Sequence, residues 1–97
     1  MVNSSVLSLA AVAAIASFAA ADNCNTGLRY CGAGLLSKGN YLPQILDELN
    51  RVSSPIDKAH IYNTIFYCAG GSNGDIRYVT FCDRGCRDGG SGHDDFC

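Results

Sequence analysis

The chain has 97 residues, of which 47% are hydrophobic and 16% charged, and it carries a net charge of −2. That balance supplies no basic surface, so nucleic acid and anionic lipid are excluded as partners. The length permits a single folded unit, and all six cysteines (Cys24, Cys31, Cys68, Cys82, Cys86 and Cys97) lie downstream of an apolar leader.

Val6 to Ala21 contains no charged residue and is rich in alanine. It is short for a membrane span, which needs about 20 strongly apolar residues. Ala19-Ala20-Ala21 presents the small residues that signal peptidase accepts. The leader reads as a secretory signal over residues 1–21, cleaved at Ala21-Asp22, although it has no Lys or Arg before the apolar run. A retained membrane anchor is the competing reading, and its length argues against it. The sequon Asn3-Ser4-Ser5 falls inside the signal, so no N-glycan is expected on the secreted chain. Residues 22–97 then form one cysteine-rich secreted domain. A core that small contributes only about 3–5 kcal/mol of net stability, and three disulfides at about 2–4 kcal/mol each would exceed it. The cysteines therefore read as structural.

In chain order, Leu28-Arg29-Tyr30-Cys31 predicts a short strand. Asn40 reads as a helix N-cap with Pro43 in the tolerant first turn. Leu42, Ile45, Leu49 and Val52 follow on one helical face, with Gln44, Asp47, Glu48, Asn50 and Arg51 on the other. Ser54-Pro55-Ile56-Asp57 resembles a capping box and starts a single turn reaching about His60. Thr64–Cys68 and Asp75–Cys82 are rich in β-branched and aromatic residues, and the loop Gly70-Gly71-Ser72-Asn73-Gly74 between them permits a hairpin. Apolar groups on both faces of the last strand predict that it is central, antiparallel to both neighbours. After Cys82 the chain is polar and glycine-rich, with only Phe96 and the cysteines as expected anchors.

These elements give an α+β fold: a small disulfide-stapled domain with a three-stranded antiparallel sheet packed on one main helix, in the order β-α-β-β. That strand order predicts the pairs Cys31–Cys68, Cys24–Cys82 and Cys86–Cys97, one at each end of the sheet and one closing the tail. Six cysteines admit many other connectivities, the nearest exchanging Cys82 with Cys86.

Candidate chemistry is sparse. Gly89 to Cys97 matches one copy of a calcium-binding nonapeptide repeat, which works only by stacking on further turns. A looser calcium site could use Asp88, Asp94 and Asp95. Zinc binding through Cys82, Cys86 and His93 conflicts with an oxidising compartment. Glu48, His60 and His93, with Arg77, Arg84 and Arg87, are the groups suited to acid–base or phosphoryl chemistry, and no spacing brings them together. The reading is a protein that is not an enzyme, with no catalytic residues, no metal and no cofactor. Tyr30, Tyr41, Tyr62, Tyr67 and Tyr78 could supply contact surface but fit core edges better. The loop Gly70 to Gly74, Arg84 and Arg87 are the exposed candidates for contacts.

Gly27-Leu28-Arg29-Tyr30-Cys31-Gly32, Leu35-Leu36, Gly39-Asn40-Tyr41, Ile45, Leu49 and Phe66-Tyr67-Cys68 form a recognisable series, as does the ending Cys82-Asp83-Arg84-Gly85-Cys86, Asp88-Gly89-Gly90 and Asp94-Asp95-Phe96-Cys97. From Cys24 to Cys97 the chain resembles small secreted cysteine-rich proteins of filamentous ascomycete fungi, many of them candidate effectors. The stapled α/β sandwich is more distantly similar to smut-fungus killer toxins. The resemblance implies a secreted, non-enzymatic fungal effector that promotes infection of a host, most often a plant, or modulates its immunity. It would act as a monomer through surface binding to a host protein or extracellular ligand, in the apoplast or inside host cells, without stable membrane insertion. The alternative class is a secreted antimicrobial or killer-type toxin. Against that stand the acidic charge and the absence of a cationic amphipathic face.

Overall fold

The computed structural model describes residues 23–97. The expected signal over 1–21 and the expected cleavage at Ala21-Asp22 lie outside the described residues. Six elements follow one another: strand β1 (Arg29–Cys31), helices α1 (Gly32–Lys38), α2 (Leu42–Arg51) and α3 (Lys58–Asn63), then strands β2 (Thr64–Gly70) and β3 (Asp75–Phe81). The fold is α+β, with one antiparallel three-stranded sheet and three disulfides. No helix among the described residues is long and apolar enough to cross a membrane.

Helix α2 is the main helix. It begins one residue later than expected, with Tyr41 at the cap and Pro43 in the first turn. It ends at Arg51; beyond its cap Val52, Ser53 takes a left-handed φ of 57° and Ser54 N–H returns to the Leu49 carbonyl at 2.9 Å. Ile45 and Leu49 are fully buried against Leu35, Phe66, Cys68 and Ile76, each contributing about 1.5–3 kcal/mol by burial. Leu42, expected on the same face, is exposed. Glu48, expected on the outer face, is buried.

Helix α1 has no counterpart in the sequence reading. It starts directly from β1, and Gly32 admits the close approach of α3, because a Cβ there would meet the Ile61 carbonyl oxygen. Helix α3 is capped by Asp57 rather than by Ser54, with the carboxylate accepting the His60 N–H at 2.8 Å.

The sheet order is β1-β2-β3, so β2, not β3, is central. Thr64, Ile65, Phe66 and Cys68 of β2 are all buried, whereas β3 keeps alternate residues exposed. Phe66 meets Tyr78 edge-to-face at 6.5 Å between centroids. Val79 falls where the register slips between Ile65 and Phe66 and lies on the exposed face with Asp75 and Arg77, so β3 carries apolar residues on both faces without being central.

The expected disulfides Cys31–Cys68, Cys24–Cys82 and Cys86–Cys97 are replaced by Cys24–Cys68, Cys31–Cys86 and Cys82–Cys97. The cause is direction. With β1 antiparallel to β2, Cys31 lies opposite Ile65, at the far end of β2 from Cys68. Cys68 instead faces the segment before β1, where its N–H donates to Leu28 O and its carbonyl accepts from Gly27 N–H, both at 2.9 Å. Tyr30 faces the core beside Phe66, so Cys31 points to the other side and meets Cys86. The competing exchange of Cys82 with Cys86 did contain the observed Cys82–Cys97 pair.

Candidate functional site

An antiparallel edge strand turns every second N–H outward, leaving donors that something must satisfy. On β3 these are Ile76 and Tyr78. Gln44 Oε1 accepts from Ile76 N–H at 3.2 Å and Glu48 Oε1 from Tyr78 N–H at 2.8 Å. The spacing fits, because four residues of helix rise about 6 Å and two residues of strand about 6.8 Å. Arg51 holds Glu48 with two guanidinium hydrogen bonds, of 3.0 and 2.9 Å. Those bonds, with Tyr78 N–H and the charges of Arg51 and Arg77, hold the Glu48 carboxyl below its ordinary value against the upward push of burial.

On β1 the outward donors are Arg29 and Cys31. Asp94 Oδ1 accepts from Arg29 N–H at 2.9 Å, and Asp95 Oδ2 accepts from Cys31 N–H at 2.8 Å. Asp95 N–H donates to the Arg29 carbonyl at 2.9 Å, as a paired strand would. The other oxygen of Asp95 accepts from Gly89 N–H at 2.8 Å. Gly89 is required here, because a Cβ would meet the Asp94 carbonyl oxygen. The tail closes on itself through Arg87 and Phe96, with N–H···O bonds of 2.7 and 3.0 Å in both directions. Its anchors are thus Asp94 and Asp95 with the cysteines; Phe96, the expected anchor, is 51% exposed.

Between α1 and this tail lies an open cleft of about 570 Å³, lined by Tyr30, Ser37, Lys38, Asp88, Ser91 and His93 among others. Hydroxyls, an ammonium, an imidazole and a carboxylate there can bind a polar ligand or a partner's polar loop. A shallower hollow of about 420 Å³ lies between α2 and β3, lined by Gln44, Asp47, Glu48, Asp75 and Arg77.

The residues that the sequence offers for acid–base chemistry are dispersed. His93 is in the tail cleft and Glu48 on the β3 edge. His60 sits on α3, its Nδ1 2.7 Å from Asp57 Oδ1 and its ring stacked 3.9 Å from Phe81. Two hydrogen bonds hold Asp57 below the ordinary carboxyl range, first from the His60 backbone N–H and then with the His60 ring. Asp88, Asp94 and Asp95 are each engaged by backbone N–H groups, of Gly90, Arg29, Cys31 and Gly89. Among the described residues no cluster of three His, Cys, Asp or Glu side chains is arranged to hold a metal.

Of the tyrosines, Tyr41 is buried, accepting Cys24 N–H at 3.0 Å and donating to Gly74 O at 2.7 Å, while Tyr62 and Tyr67 are exposed. Sequence reasoning missed the edge-capping of Gln44, Glu48, Asp94 and Asp95. The four-residue step from Gln44 to Glu48 opposite the two-residue step from Ile76 to Tyr78 was the one available signal.

No protein-family model, curated protein or solved structure matches the chain.

Proposed function

We propose that this protein is a secreted, non-enzymatic fungal effector that promotes infection of a host, most often a plant, or modulates its immunity by binding a host protein or extracellular ligand. The observation that carries this reading is the use made of its carboxylates. Glu48, Asp57, Asp94 and Asp95 each tie down backbone amides of the sheet or of a helix, a scaffold's use of charge rather than a reaction centre's. Three disulfides fit an oxidising compartment and a protein built to last outside the cell. The tail cleft is then the preferred contact surface, with Lys38 and His93 on its rim.

Deletion of the gene in the producing fungus is expected to reduce virulence without changing growth in culture. Complementation with a Lys38→Ala/His93→Ala variant, secreted at normal levels, is expected to leave the defect in place. Normal virulence after deletion would defeat the effector reading. Killing of bacteria, fungi or plant cells by the purified protein at low concentration would replace it with the toxin reading.

A further inference from the structure

We infer that the outer edge of β1 is a docking site for an extended peptide strand, occupied in the oxidised protein by its own tail and opened by reduction of Cys82–Cys97. The tail shows what the edge accepts. Asp95 N–H to Arg29 O is a strand-type bond, and the flanking Asp94 and Asp95 carboxylates take the Arg29 and Cys31 N–H groups. A partner strand that offered backbone carbonyls to the Arg29 and Cys31 N–H groups, in place of these carboxylates, and an N–H to the Arg29 carbonyl would add a strand to the sheet. An acidic residue in such a partner would also meet the Arg29 guanidinium, which now lies 3.5 Å from Asp94. The β3 edge offers no equivalent, because α2 covers it and is itself fixed by Ile45 and Leu49.

The disulfides differ in access. Cys24 and Cys68 are both buried, whereas Cys97 is exposed and its partner Cys82 is buried. Exposed disulfides yield first to thiols. A dithiol reductant of the thioredoxin class, or dithiothreitol as probe, attacks the Cys97 sulfur as thiolate. The Cys82–Cys97 bond breaks, Cys82 leaves as thiolate and takes up a proton, and a mixed disulfide forms at Cys97. The reductant's second thiol displaces Cys97 as a thiol, so two electrons pass and the dithiol ends as a disulfide. The tail stays tethered through Cys31–Cys86 but loses the closure of a 15-residue loop, which raises its open population by about a hundredfold. A reducing cytosol would thus expose an edge that an oxidising exterior keeps shut. The inference concerns the purified chain and stands apart from the effector reading.

The full-length secreted protein is treated with graded dithiothreitol, alkylated and mapped by mass spectrometry, with amide exchange followed in parallel. Free thiols are expected first at Cys82 and Cys97. Exchange at Arg29 and Cys31 then quickens by about a hundredfold while Ile76 and Tyr78 stay protected. A labelled peptide of sequence Gly-His-Asp-Asp-Phe, matching residues 92–96, is expected to bind the reduced form at millimolar concentration and not the oxidised form. A Cys82→Ser/Cys97→Ser variant should bind it without reductant; where that variant misfolds, the partly reduced wild-type chain gives the same readout. Earlier reduction of another pair, unchanged exchange at Arg29 and Cys31, or equal peptide binding in both redox states would each overturn the inference.

Discussion

The two edges of the sheet solve one problem with different materials. Each has two outward N–H groups, and each is closed by two side-chain oxygens: Gln44 and Glu48 on β3, Asp94 and Asp95 on β1. Edges left open invite pairing with other chains. The β3 guards stand one turn apart on a helix whose other face is in the core. The β1 guards stand on a tail without regular structure, held by its own hydrogen bonds and by disulfides. One edge is therefore closed by packing and the other by covalent and polar contacts alone, so the two should fail in different ways.

Asp95→Ala is the strongest way to break the comparison. It removes the acceptor from the buried Cys31 N–H and from Gly89 N–H together, at about 1–3 kcal/mol for each unsatisfied donor. A total near 3 kcal/mol lowers Tm by more than about 10 °C in a domain this small, measured by thermal melting of the oxidised protein. Exchange at Arg29 and Cys31 should rise with it. Glu48→Ala comes next, at about 1–2 kcal/mol for the loss of one acceptor. Here only Tyr78 N–H should exchange faster, because Ile45 and Leu49 keep α2 in place. If Glu48→Ala also loosened α2, the packing account of the β3 edge would be wrong.

The sequence showed the two halves of this comparison unequally. Ile45 and Leu49 announce α2 by their spacing, and the glycine loop from Gly70 to Gly74 announces the hairpin. Helix α1 was hidden because Gly32 and Gly34 weaken a helical reading, and only packing against α3 and the core makes it form. Val79 and Phe81 made β3 look central, whereas Val79 lies on the exposed face with Asp75 and Arg77. The disulfide pattern inherited that error, since pairing depends on which strand ends are neighbours. Asp94 and Asp95 carried no periodic signal, and the amides they cap lie 65 and 64 residues away in the chain. Long-range polar contacts of that kind leave no trace in local pattern.

The outer guard on each edge offers a finer test. Gln44→Ala removes the longer of the two edge bonds on β3, at 3.2 Å, and Asp94→Ala removes one acceptor from an exposed amide, each at about 0.5–1 kcal/mol. Their salt dependence should separate them. Asp94 also pairs with the Arg29 guanidinium at 3.5 Å, both side chains being about half exposed, and salt screens such pairs. The loss of Tm in Asp94→Ala should shrink in 1 M salt, about the concentration at which screening reaches 3 Å, while that in Gln44→Ala should not. Equal behaviour would mean that the Arg29–Asp94 pair adds nothing to the closure of β1.

The smallest effect is the most informative about charge. Glu48→Gln keeps an oxygen for Tyr78 N–H and loses the ionic part of the contact with Arg51, whose side chain is 51% exposed, so the cost at neutral pH is about 0.5 kcal/mol. Its pH dependence is fixed in sign. The native Glu48 carboxyl lies below its ordinary value of 4.5, so the folded protein binds its proton less readily than the unfolded chain does. The stability that this ionisation contributes is complete above the unfolded value and is lost as pH falls through the native one. Urea midpoints of wild type and Glu48→Gln should therefore differ at pH 7 and converge as the solution is acidified below about 4.5. Asp57, which is also lowered, titrates in both proteins and cancels from the difference. A gap that persists unchanged into acid would show that the difference between the two side chains does not come from the charge of Glu48.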